Sequence, residues 1–171
     1  MSDASVRDLF ERRRRALARR PVLARASATT RAALVARGDA CDVEDGGRVL
    51  RVELPADDGG LGPGPSPGEL ARAGLAAGLA LGYRVWGARL GVALDGVTVD
   101  VMAESDARGE LALDDDVAAG WLRVLVDVRL TSAAPEADVR RVVALANRYS
   151  PALANLAPTI ARAWRVTVVR P

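Results

Sequence analysis

Residues 59–91 read GGLGPGPSPGELARAGLAAGLALGYRVWGARLG, a glycine-proline loop running into a long and almost wholly apolar segment. The loop ends in a helix start. Ser66 is a good N-cap, Pro67 fits the first helical position, and Glu69 three residues after the cap completes a capping box. From Leu70 to Leu90 only Arg72, Arg84 and Arg89 interrupt a run of Ala, Leu, Gly, Val and aromatic residues. A helix apolar on every side must be surrounded by protein, so this one is expected at the centre of the fold. Gly74, Gly78 and Gly82 recur every fourth residue and leave one face as bare backbone, where a second element can approach closely.

Outward from this helix the pattern changes to short alternating runs. Residues 26–37 and 40–43 are extended candidates, and Asp45-Gly46-Gly47 is a tight turn into a strand over 48–54 that Pro55 ends. Val97, Val99 and Val101 alternate with Thr98, Asp100 and Met102, and residues 121–130 alternate with Leu122, Val124, Val126, Val128 and Leu130 on one side. A helix begins at Pro135 with Val139, Val142, Val143 and Ala146 at helical spacing; a short one follows Ser150-Pro151, and residues 164–169 close as a strand. Strands, a long helix, more strands and then helices make an α+β class, built as antiparallel sheet around the central helix.

The chain has 171 residues, 50% of them hydrophobic, with one Phe and no Lys or Gln, which fits one domain with an aliphatic core. Charge is uneven. Ten of the 24 arginines but only three of the 22 acids lie in residues 1–37, so the remainder is mildly acidic. Residues 1–25 read as an arginine-rich helical arm and 26–171 as the domain proper. The arm helix spans 5–19, with Val6, Leu9, Phe10, Arg13 and Leu17 on one broad face and Pro21 barring continuation. Its Phe10 edge is expected to dock on the acidic body or a partner. Nucleic-acid or membrane contact is disfavoured, because aromatic interleaving is lacking. No signal pattern opens the chain and three arginines break the longest apolar run, so the expected location is cytoplasmic.

Histidine is absent, which removes Ser-His-Asp triads, Cys-His dyads and histidine metal sites. Asp114, Asp115 and Asp116 read as a solvated turn, no phosphate-cradling glycine loop occurs, and no metal or cofactor is expected. Cys41 is the only cysteine, so no intramolecular disulfide exists, and its neighbours Asp39, Asp42, Glu44 and Asp45 disfavour a thiolate.

The Pro67-Gly68-Glu69-Leu70 start, the Ala77-Gly78-Leu79-Ala80 segment behind it, and Tyr149-Ser150-Pro151-Ala152 near the C-terminus resemble the OsmC/Ohr family of osmotically induced and organic-hydroperoxide-resistance proteins. The resemblance covers roughly residues 26–169. It implies an intertwined homodimer in which sheets wrap paired central helices, with the active site at the subunit interface. The family's two cysteines would fall at Gly78 and Ser150, its glutamate at Gly68, and its arginine near Arg31. Peroxidatic chemistry needs a thiolate that becomes a sulfenic acid and a second thiol that condenses with it. Glycine and serine supply neither. The resemblance therefore implies a homodimer with a vestigial site at Gly68, Gly78, Ser150 and Arg31 and no catalytic residue. An apolar void lined by Leu75, Leu79, Tyr83 and Trp86 is expected to hold a small hydrophobic ligand. Two alternatives stay open: a residual hydroperoxide reductase acting through Cys41, and a module whose arginine arm binds an anionic partner.

Overall fold

The computed structural model describes residues 3–35, 38–60 and 62–171. The chain forms α1 (Asp3–Arg19), β1 (Arg31–Leu34), β2 (Ala40–Asp45), β3 (Arg48–Glu53), α2 (Pro67–Leu90), β4 (Gly96–Ser105), α3 (Ala107–Glu110), β5 (Trp121–Thr131), α4 (Glu136–Arg148), α5 (Pro151–Ala154) and β6 (Ala161–Val169). Two compact units emerge: Arg15–Ala71, and the segments before Arg15 together with Arg72–Pro171. The α+β class expected from the sequence holds.

Within the smaller unit, β1, β2 and β3 form an antiparallel sheet in that order. The β2–β3 hairpin closes through Gly46 (φ 55°) and Gly47 (φ 74°), with Asp45 opposite Arg48. Two consecutive positive φ values make the turn whose twist matches that of the strands. Strand β1 is shorter than the 26–37 stretch predicted for it, and Ala36 and Arg37 lie outside the described residues. Its side chains are all exposed, and Thr30 just before it donates to Asp45 Oδ2 at 3.0 Å.

The larger unit holds the β4-β5-β6 sheet. Strands β4 and β5 are antiparallel, but β5 and β6 are parallel, so the sheet departs from the wholly antiparallel expectation. The reason is the connection. Helices α4 and α5 carry the chain back across the sheet before β6 begins, which a parallel neighbour requires. Val124, Val126, Val128 and Leu130 of β5 are buried and pack with Val139, Val142, Val143 and Ala146 of α4 in one aliphatic core. Ser132 is buried with its needs met, donating to the Ala93 carbonyl at 2.6 Å and accepting from Ala134 N at 3.1 Å.

Helix α2 starts as its sequence dictates. Ser66 N donates to Glu69 Oε2 at 2.7 Å and Glu69 N to Ser66 Oγ at 3.3 Å, the reciprocal pair of a capping box. It ends in a Schellman motif: Gly91 turns left-handed at φ 73°, and Val92 N donates to the Gly87 carbonyl at 2.9 Å. Leu75, Leu79 and Tyr83 recur every fourth residue and enter the core. Burial on every side, however, is not reached in the single chain. Gly74, Ala77, Gly78 and Leu81 form a stripe at i, i+3, i+4 and i+7 that stays exposed, Leu81 by 67%. Short α3 was not foreseen; its cap is Asp106, whose Oδ1 accepts from Arg108 N at 3.0 Å.

Candidate functional site

Gly78 and the turn after α4 come together in the larger unit. A Cβ built on Gly78 would stand 3.1 Å from Ala152 Cβ, so the missing side chain lets the first turn of α5 press against α2. Ser150 sits two residues before Ala152, buried, with its Oγ accepting from Leu153 N at 3.3 Å. That hydroxyl serves as the cap of α5. Neither position carries a thiol or an ionisable group.

In the smaller unit, Gly68 lies exposed in the first turn of α2, while the neighbouring Glu69 carboxylate is held by the capping box. Arg31 opens β1 opposite Glu44 and is exposed. Cys41 is half-buried on β2, paired across to Val52 and Leu34, and borders a cavity of about 140 Å³ with Leu54 and Pro67. Beside it Arg51 grips Asp42 across the hairpin at 2.6 and 3.3 Å, which raises the guanidinium pKa through that hydrogen bond. Glu53 is buried beneath the 62–64 loop; a Cβ on Gly62 would collide with its carboxylate. Asp114 accepts from Asp116 N and pairs with Arg108, while Asp115 and Asp116 are exposed, as a solvated turn requires. Among the described residues no group of three acidic, cysteine or histidine side chains is placed to hold a metal.

The expected apolar pocket is differently made. Leu75, Leu79 and Tyr83 are 4%, 1% and 0% exposed because their stripe faces β5 and α4 and is filled by them. The Tyr83 hydroxyl donates to Asn147 Oδ1 at 2.9 Å, and burial pushes its pKa up to about 12. Of the four residues only Trp86 borders open space. It stands in a cleft of about 670 Å³ lined by Phe10, Glu11, Trp86, Arg89, Leu90, Arg141, Leu145 and Tyr149. Trp86 stacks on Tyr149 (5.4 Å, 15°) and meets Phe10 tilted at 6.2 Å. The Arg89 guanidinium lies over both the Trp86 and Phe10 rings, at 4.4 and 4.7 Å, with Glu11 at 3.5 Å.

Sequence reasoning singled out the Phe10 edge of α1 but reversed the charges of its docking. Acids of the arm meet arginines of α2: Asp3 pairs with Arg84 and Glu11 with Arg89, while Arg7 Nε donates to the Ala88 carbonyl at 2.9 Å. The cleft itself was missed. Its walls come from three helices far apart in the chain, and no spacing in the sequence links Phe10, Trp86, Arg141 and Tyr149.

The family profile described as "OsmC-like protein" matches residues 58–163. Among curated proteins none matches the chain. Among solved structures, an OsmC-like protein from Mycoplasma pneumoniae is similar with a TM-score of 0.73 at 14% identity, over 84% of this chain and 98% of that one. An organic hydroperoxide resistance protein OsmC from Legionella pneumophila gives 0.61 at 18% identity, with coverage of 84% and 98%. One from Elizabethkingia anophelis, an organic hydroperoxide resistance protein with thiocyanate bound, gives 0.66 at 14%, with coverage of 85% and 98%. At these identities the likeness is one of fold.

Proposed function

We propose, for a chain that belongs to the OsmC-like protein family, a homodimer that keeps the family scaffold without its thiol-peroxidase chemistry. The observation that carries this reading is the pairing of Gly78 with the Ser150–Ala152 turn. Two segments that resemble the family's cysteine-bearing motifs meet there, and neither brings a sulfur atom. A glycine cannot attack a peroxide bond, and a serine hydroxyl cannot resolve a sulfenic acid. The exposed Gly74, Ala77, Gly78 and Leu81 stripe supports the dimer: small residues flanking a large exposed leucine suit a second copy of the same helix.

The test is reduction of cumene hydroperoxide with dihydrolipoamide as electron donor. Consumption should match the protein-free rate, and Cys41→Ser should leave it unchanged. Turnover that disappears in Cys41→Ser would replace this reading with a one-cysteine reductase, whose sulfenic acid the external dithiol restores.

A further inference from the structure

We infer that the cleft between α1, α2 and α4 is a binding site for a small aromatic anion, an aryl carboxylate in the first instance. Its size falls within the roughly 300–1,000 Å³ typical of small-molecule sites. Its wall is an aromatic ladder, Phe10, Trp86 and Tyr149, and Tyr149 remains 56% exposed although stacked on Trp86 and with the Arg148 guanidinium 5.4 Å from its ring centroid. Such a surface left open to water gains free energy when a flat apolar body covers it.

Charge selects the kind of body. Arg89 is already engaged, sandwiched over two rings and paired with Glu11. Arg141, exposed on α4 at the edge of the same cleft, has no carboxylate within ion-pair distance among the described residues. Its neighbour Arg140, by contrast, is tied to Glu136 at 2.7 Å. The lining residues therefore carry two guanidiniums against one carboxylate, a net positive charge, and of the two only the Arg141 fork is committed to neither a ring nor a carboxylate. A guanidinium fork matches a carboxylate bidentately, whereas a cationic aromatic would be repelled. Ring on the ladder and carboxylate on Arg141 is the complement this surface specifies.

All the lining residues of the cleft belong to one compact unit, and α1 lies outside the 58–163 segment that matches the family.

Calorimetric titration of the full chain with 2-naphthoate, and with its neutral twin 2-naphthylmethanol, tests it. Naphthoate should bind at least about tenfold more tightly than the alcohol, the difference shrinking as salt is raised. Arg141→Gln should bring naphthoate down to the alcohol's affinity and leave the alcohol unchanged. Arg140→Gln should alter neither, and Phe10→Ala should weaken both. Arg141 is exposed, so its variant should melt as the parent does. Absence of naphthoate binding at millimolar concentration, equal affinity for acid and alcohol, or an unaltered affinity in Arg141→Gln would overturn the inference.

Discussion

Tyr83 has no exposed surface, and its hydroxyl donates to Asn147. Burial disfavours the phenolate and lifts the folded-state pKa to about 12, against about 10 in an unfolded chain. A raised folded value means the contribution is whole below pH 10 and is lost as pH climbs from 10 towards 12. Melting temperature should therefore fall over that interval, and the fall should shrink in Tyr83→Phe; equal alkaline slopes in the two proteins would contradict the burial argument. Ser150 makes a second residue-scale case. Removing its cap by Ser150→Ala should cost about 1 kcal/mol in urea melts. The cap was legible in the sequence, since Ser-Pro before a short apolar run is a helix start. The cleft residues were not, because Phe10, Trp86, Arg141 and Tyr149 share no spacing along the chain.

Turns and loops tell two glycines apart by cause. Gly47 has a positive φ and open space around its missing Cβ, so Gly47→Ala should cost about 1 kcal/mol through backbone conformation alone. Asn tolerates that conformation, and Gly47→Asn should recover most of the loss. At Gly60 the Cβ would run into the Leu54 backbone carbonyl. Gly60→Ala should therefore destabilise by roughly 2 kcal/mol, with Asn giving no recovery. Chemical denaturation of the four variants separates the two causes. The Asp45-Gly46-Gly47 hairpin and both ends of α2 were readable because each rests on local chemistry. The parallel placement of β6 was not, since strand direction depends on where α4 and α5 lead the chain.

At the scale of the molecule, composition marked α2 as needing cover on all sides, but periodicity alone did not say which side the chain covers itself. Leu75, Leu79 and Tyr83 go inward and the Gly74–Leu81 stripe is left over. If a second copy covers it, sedimentation should report twice the chain mass for the parent protein. Leu81→Arg should give the single-chain mass, because an unpaired guanidinium in an apolar seam is costly. A parent protein of single-chain mass at tens of micromolar would rule the dimer out.

Strand β5 is bonded on both edges, to β4 before it and to β6 after an excursion through two helices. During synthesis the hairpin of β2 and β3 has its partner at hand within a few residues and can close in microseconds. The inner strand of the other sheet must wait, with the backbone N–H and carbonyl groups of its far edge unpaired, until residues 161–169 have left the ribosome. A nascent chain halted before that point should be the form that chaperones hold and proteases cut.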